Sequence, residues 1–133
     1  MEEASNNTDM EVLLVEDDRS LRRVLRLTLE CAGFQIAEAS NGGEALQSLE
    51  ERSIEAVVLN LGLPDGQGPA VLDRLRHLSQ RTVHPVWVIT SALDQEEATQ
   101  RYGSLSGVFL AKPFDPWALV RTLEGLLSAR SKE

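Results

Sequence analysis

Short apolar runs alternate along the chain with longer stretches in which apolar residues recur every three or four positions. Runs of the first kind are typical of buried β-strands, and stretches of the second kind are typical of amphipathic helices. The pattern predicts five strands, at Val12–Val15, Phe34–Ala39, Ala56–Leu61, Val86–Thr90 and Gly107–Ala111.

A helical period follows each predicted strand. The first helix is predicted to start near Ser20 and to end at Gly33, because glycine commonly terminates helices. Its apolar positions are Leu21, Val24, Leu25, Leu27 and Cys31. We expect Cys31 to be a small buried hydrophobic residue. Four further helices are predicted from Ala45, Leu46 and Leu49, from Val71, Leu72, Leu75 and Leu78, from residues 94–102, and from Trp117, Leu119, Val120, Leu123, Leu126 and Leu127 after Pro116.

The alternation of five strands with five helices predicts an α/β fold with a doubly wound parallel sheet. Right-handed crossovers place helices on both faces of such a sheet. The run Ala56–Leu61 is apolar on both faces, which is typical of a central strand. Ligands in these folds bind outside the carboxyl ends of the strands, so we expect the functional residues at that edge.

Composition excludes several classes of protein. The chain has 133 residues, with 13 Lys+Arg against 21 Asp+Glu, a formal net charge of -8, which opposes non-specific binding to nucleic acid. No apolar stretch approaches the roughly 20 residues of a membrane helix, and the polar start does not resemble a signal peptide. The single cysteine forms no internal disulfide, so we expect a cytoplasmic protein. Residues 1–10 are predicted to be a disordered polar tail, and residues 130–133 a C-terminal tail or the start of a linker.

Polar residues follow four of the five predicted strands. They are Glu16, Asp17 and Asp18 after the first, Asn60 in the third, Thr90 and Ser91 at the fourth, and Lys112 after the fifth. Carboxylate and amide oxygens suit Mg²⁺, and an ammonium with a hydroxyl suits a phosphoryl group. Each of these residues alone is common at a protein surface. Acids before a helix, for example, often complement its dipole. Their convergence on one edge indicates a functional site.

Four motifs carry a resemblance to a known family. They are VLLVEDD at 12–18, NLGLPDGQG at 60–68, ITSA at 89–92 and FLAKPF at 109–114. Together they resemble the receiver domain of bacterial two-component response regulators, over residues 11–129. The resemblance implies a flavodoxin-like three-layer sandwich with strand order 2-1-3-4-5.

The resemblance also implies roles for individual residues. Glu16 and Asp17 would hold Mg²⁺ with the backbone carbonyl of Gly62, and position 60 would be the phosphoacceptor. Thr90 would be the switch hydroxyl, and Phe109 the aromatic residue whose rotamer follows it. Lys112 would pair with the phosphoryl group, and Pro113 would follow it in the cis form.

Position 60 departs from the family, because it is asparagine where the chemistry requires aspartate. A carboxamide is far less nucleophilic than a carboxylate, so we expect no aspartyl phosphate, and we expect weaker Mg²⁺ binding with Asn60 as a remaining ligand. The chain is then a natural pseudo-receiver or a receiver with an introduced Asp→Asn change. Deamidation is disfavoured, because Asn60 precedes Leu61 rather than glycine.

The implied function is signalling rather than catalysis. Expected partners are a sensor histidine kinase or a phosphotransfer protein, and a downstream effector or a second copy bound through the face of helix four, strand five and helix five. Trp117 is either a contact residue on that face or a core residue. A flavin protein or a phosphohydrolase with Asp17 as nucleophile is the alternative. The acids after the first strand disfavour the flavin protein, because they repel phosphate.

Overall fold

The computed structural model describes residues 10–105 and 108–131, which form ten regular elements. They are β1 (Glu11–Val15), α1 (Arg19–Cys31), β2 (Gln35–Ala39), α2 (Gly42–Glu51), β3 (Ala56–Asn60), α3 (Gly68–Leu78), β4 (Val86–Ser91), α4 (Gln95–Tyr102), β5 (Val108–Ala111) and α5 (Pro116–Ser131). The predicted start of strand five, Gly107, lies outside the described residues, as do residues 1–9 and 132–133 of the predicted tails. Helix α5 runs two residues beyond the expected domain boundary at residue 129.

The five strands form one parallel sheet in the order β2-β1-β3-β4-β5, which confirms the predicted fold. Strand β3 lies in the centre, and all five of its residues are buried. Its continuous apolar sequence follows from this position, because helices cover both of its faces. In the register of β3 and β4, Asn60 lies opposite Thr90.

Two apolar clusters pack on opposite faces of the sheet. In β1, Leu13 and Val15 belong to the cluster that includes residues of α2, α3 and α4, whereas Val12 and Leu14 belong to the cluster with α1 and α5. Successive side chains of a strand point to opposite faces, so one short apolar run contributes to both clusters. The three-layer arrangement is therefore confirmed.

Helix α1 buries a narrower face than its sequence predicts. Leu25 and Leu29 are buried against the sheet, whereas Val24 and Leu27 are 47% and 49% exposed. The prediction that Cys31 is buried is wrong, because the residue is exposed. It lies two positions beyond Leu29, which is more than half a turn around the helix from the buried face.

The two tryptophans have different environments. Trp87 in β4 is buried within the cluster under α2, α3 and α4. Trp117 at the start of α5 is 48% exposed and belongs to neither cluster, which favours a contact role over a core role.

None of the helices in the described ranges combines the length and the apolar character that a membrane crossing requires.

Candidate functional site

The predicted site residues meet at the carboxyl edge of the sheet. A cleft of about 410 Å³ opens there, and Glu16, Asp17, Asn60, Gly62 and Lys112 contribute to its lining. Parallel strands end at the same edge, so residues far apart in sequence come together. The predicted convergence is therefore present in the structure.

Sequence reasoning missed Leu93, which follows β4, and two residues of α4 in this cleft. Arg101 and Tyr102, in the last turn of α4, also line it. Arg101 and Tyr102 lie next to each other in a segment that the sequence predicts only as a helix. The packing of α4 beside β5 brings them to the cleft.

Glu16 is a buried carboxylate with three hydrogen-bond donors around it. Its Oε1 accepts from the Lys112 ammonium at 2.8 Å, and its Oε2 accepts from the Asp18 backbone N–H at 3.0 Å and from Asn60 Nδ2 at 3.4 Å. The residue is only 1% exposed. A buried charge needs such pairing, because transfer from water to the protein interior otherwise costs several kcal/mol. Lys112 therefore has a structural partner in this arrangement.

Asp17 and Asp18, which follow Glu16, are used differently. The Asp17 carboxylate accepts a hydrogen bond from Asn60 Nδ2 at 2.8 Å. The Asp18 carboxylate caps α1 by accepting from the N–H groups of Ser20 and Leu21 at 3.0 and 3.1 Å. Asp18 is thus a helix cap, which stabilises the turn that carries the other two acids.

The hydrogen bonds of Asn60 define the orientation of its carboxamide. Its nitrogen donates to Asp17 and Glu16, and its oxygen accepts from the Gly62 N–H at 3.3 Å. Only the nitrogen of an amide can donate to carboxylates, so the opposite orientation would place the oxygen against two negative groups. The network therefore determines which amide atom faces the acids.

Thr90 and Ser91 end β4, and both are buried. Ser91 contributes to the lining of the cleft, whereas Thr90 does not. In the described part of the chain, no hydrogen bond joins the Thr90 hydroxyl to another protein group, whereas Ser91 Oγ accepts from the Leu93 N–H at 3.0 Å. Phe109 is partly buried against the cluster that contains Ile89. The Thr90 hydroxyl is thus buried without a hydrogen-bond partner among the described residues.

The peptide bond between Lys112 and Pro113 is cis, as the family resemblance implies.

The residues present do not offer Mg²⁺ a ready set of ligands. Among the described residues, no group of three or more His, Cys, Asp or Glu side chains could hold a metal ion. Glu16 and Asp17 are the two acids of the expected site, and the third position presents an amide nitrogen rather than an oxygen. Divalent cations are bound by oxygen ligands, so this arrangement does not fit the ion unless the amide turns.

Asp65, in the loop between β3 and α3, connects this loop to the start of α2 by hydrogen bonds. Its Oδ1 accepts from the N–H groups of Gly42 and Gln67, both at 3.2 Å, and its Oδ2 accepts from Gly43 at 3.1 Å. Burial raises the pKa of Asp65, but the donated N–H groups outweigh this effect, so that its pKa lies below the ordinary value of 3.8. The ionised carboxylate therefore stabilises the folded state.

We expect Asp65→Asn to lower the melting temperature by a few degrees at pH 7, because the amide offers one acceptor atom instead of two. The folded-state pKa is depressed, so the stabilisation is complete above the ordinary value of 3.8 and is lost as the pH falls through the lower folded-state value. Calorimetry from pH 7 to acid pH should show the difference from the parent protein shrinking. Asp73→Asn, at an exposed ion pair with Arg76, is the control and should change little. A pH-independent difference would contradict the charge argument.

Comparison with known proteins identifies the family. The family model described as response regulator receiver domain matches residues 12–124. The transcriptional regulatory protein SrrA of Staphylococcus aureus is 32% identical over 117 residues, which cover 88% of this chain and 47% of that protein. The chain thus spans about half the length of the curated relatives it matches.

Solved structures of receiver domains share the fold. A CheY-like receiver domain from Methanospirillum hungatei superimposes with a TM-score of 0.79 at 21% identity, covering 92% of this chain and 97% of that one. A receiver domain from Methylobacillus flagellatus has a TM-score of 0.71 at 28% identity, covering 91% and 98%. TrrA from Thermotoga maritima, determined in complex with Mg²⁺ and BeF, has a TM-score of 0.76 at 22% identity, covering 88% and 98%. With its fold, its edge of polar residues and these matches, the chain belongs to the response regulator receiver domain family of two-component signalling.

Proposed function

We propose that this chain is a receiver-type interaction module that does not accept a phosphoryl group at position 60. The observation that supports this proposal is the place of Asn60 at the end of β3, where it donates hydrogen bonds to the two acids that follow β1. One of those acids, Glu16, also pairs with Lys112. A receiver accepts phosphate through a carboxylate oxygen that attacks phosphorus. The carboxamide oxygen is a weaker nucleophile, and the Asn60 nitrogen is held by Asp17 at 2.8 Å.

Signalling without phosphorylation then depends on a conformational equilibrium. The Thr90 hydroxyl lacks a protein partner in the described part of the chain, and Phe109 lies partly buried in the neighbouring strand. In a phosphorylated receiver, a negative group in the cleft would attract that hydroxyl and bias the switch. With Asn60 the chain rests in its unphosphorylated arrangement, and a partner that prefers the other arrangement selects it.

The proposed partners are proteins. A sensor histidine kinase or a phosphotransfer protein would meet the edge that carries the cleft. A downstream effector or a second copy would bind the face formed by α4, β5 and α5. The half-exposed Trp117 at the start of α5 supports a contact surface there, because buried aromatic anchors supply much of the energy of protein interfaces.

The test is phosphorylation by acetyl phosphate in the presence of Mg²⁺, followed by intact-mass measurement. We expect the parent protein to gain no phosphoryl group and Asn60→Asp to gain one. In the variant, the new carboxylate oxygen bonds to phosphorus, the bond from phosphorus to the acetate oxygen breaks, and acetate leaves. Lys112 is placed to balance the added negative charge.

Gln47→Glu is the matched control, because it also converts an amide to an acid, on the exposed surface of α2. It should gain no phosphoryl group. A gain by the parent itself would refute the proposal and require another acceptor to be mapped. If neither the parent nor Asn60→Asp reacts, the cleft is inactive for a reason beyond Asn60, and a pseudo-receiver that acts by contacts alone is the better account.

A further inference from the structure

The two acids of the cleft are already paired with hydrogen-bond donors of this chain. Lys112 donates to Glu16 at 2.8 Å, and the Asn60 amide donates to Asp17 at 2.8 Å and to Glu16 at 3.4 Å. Two carboxylates that lie close together ordinarily repel unless a cation or hydrogen-bond donors stand between them. Here the two N–H bonds of one amide bridge both acids, so the repulsion is relieved without an ion.

The amide oxygen does not face the two acids in this arrangement. It accepts from the Gly62 N–H at 3.3 Å, on the side of the carboxamide opposite to the acids. To bind a metal together with Glu16 and Asp17, the carboxamide would have to turn over, which would break the hydrogen bonds to both acids. The oxygen would then face the same carboxylates, and only a bound ion would compensate for that repulsion.

The charge of the cleft leads to the same conclusion. Glu16 and Asp17 supply two negative charges and Lys112 supplies one positive charge, which leaves a net charge of about -1 among these groups. Aspartate at position 60 would add a third carboxylate and remove both donors at once. Affinity for hard cations depends on the number of negative oxygen ligands, so the asparagine form has lost both charge and a ligand.

We propose that the Asn60 carboxamide takes the place of the divalent cation in this cleft. Its nitrogen holds the two acids together, so the site keeps its arrangement without metal, and Mg²⁺ binds weakly because it must displace an internal donor. The inference rests on the proposed assignment of Asn60 to the phosphoacceptor position, and it concerns metal dependence rather than phosphoryl transfer. The asparagine chain is then a metal-independent form of a domain whose aspartate form needs the ion.

Thermal unfolding with and without Mg²⁺ tests this inference. In chelator, Asn60→Asp should melt roughly 5–10 °C below the parent protein, because three carboxylates then share a partly buried site. Addition of about 10 mM MgCl₂ should raise the melting temperature of that variant by roughly 5 °C or more, and that of the parent by less than about 1 °C.

Gln47→Glu supplies the control for the amide-to-acid change itself. Gln47 Nε2 donates to the Glu51 carboxylate at 3.1 Å on the exposed surface of α2, so this substitution also replaces an amide donor beside an acid. Water screens that site, and we expect neither a large loss of stability nor a response to Mg²⁺. A response equal to that of Asn60→Asp would show that Mg²⁺ acts on surface charge in general and would overturn the inference.

Direct titration of the parent protein with MgCl₂ keeps the inference testable if Asn60→Asp does not fold. The side-chain amide protons of Asn60, followed by NMR, should keep their resonance positions, and calorimetry should give a dissociation constant weaker than about 10 mM, as the small expected shift in melting temperature requires. Tighter binding, or a melting temperature of the parent that rises with Mg²⁺ as much as that of the variant, would overturn the inference. Neither result would bear on whether the parent accepts a phosphoryl group, so the two proposals fail separately.

Discussion

Removal of the Lys112 ammonium by Lys112→Met should lower the free energy of unfolding by about 2–4 kcal/mol. Its Nζ lies 2.8 Å from Glu16 Oε1, and the two side chains are only 21% and 2% exposed. The substitution keeps much of the apolar stem and leaves the buried carboxylate without its cation. Urea denaturation at neutral pH measures the loss, as a lower midpoint at unchanged slope.

A double-mutant cycle separates the ion pair from the packing of the lysine stem. Glu16→Gln keeps the shape of the glutamate and removes its charge, so the double variant with Lys112→Met should be less destabilised than the sum of the two single changes. We expect a coupling energy of about 1–3 kcal/mol between the two positions. Additive losses would mean that the pair contributes nothing beyond its separate contacts.

Introduction of a methyl group at Gly68 should cost about 3 kcal/mol or more. A Cβ atom there would lie 2.1 Å from the carbonyl oxygen and 3.0 Å from the carbonyl carbon of Leu61. Both atoms belong to the backbone of the residue directly after β3, so no change of side-chain rotamer relieves the clash. Gly68→Ala should therefore move the start of α3 away from β3 and lower the unfolding midpoint strongly.

Gly62→Ala is the matched control on the same loop. A Cβ atom at Gly62 would meet no atom within 4 Å. We expect little change in stability, or a small gain, because alanine reduces the conformational freedom of the unfolded chain. Equal losses at Gly62 and Gly68 would show that the loop requires glycine for its backbone conformation rather than for space at Leu61.

The order of the elements and the place of the site were accessible from the sequence. Strands such as Ala56–Asn60 are apolar up to their last residue, and in helices such as Gly68–Leu78 apolar residues recur every three to four positions. Both signals are local, since they record which residues of one segment meet the core. The prediction that Glu16, Asp17 and Lys112 lie at one edge followed from the rule that parallel strands have their carboxyl ends on the same side of the sheet.

Other features were not accessible in this way. The exposure of Cys31 depends on which side of α1 packs on the sheet. The apolar residues of α1 spread over a wide arc, so the sequence does not determine how the helix is rotated about its axis. The place of Arg101 in the cleft depends on how α4 packs, and its own segment gives no signal for it. These are contacts between elements distant in sequence, which a local period does not encode.

The sequence by itself determined the family, the strand order implied by it and the presence of asparagine at position 60. Only the tertiary structure decided what Asn60 does. Its nitrogen faces Asp17 and Glu16 because the segment after β1, the end of β3 and the segment after β5 bring two acids, one amide and one ammonium together. The direction of an amide depends on the donors and acceptors around it, and those neighbours, 43 to 96 residues apart in the pairs that join them, exist only in the folded chain.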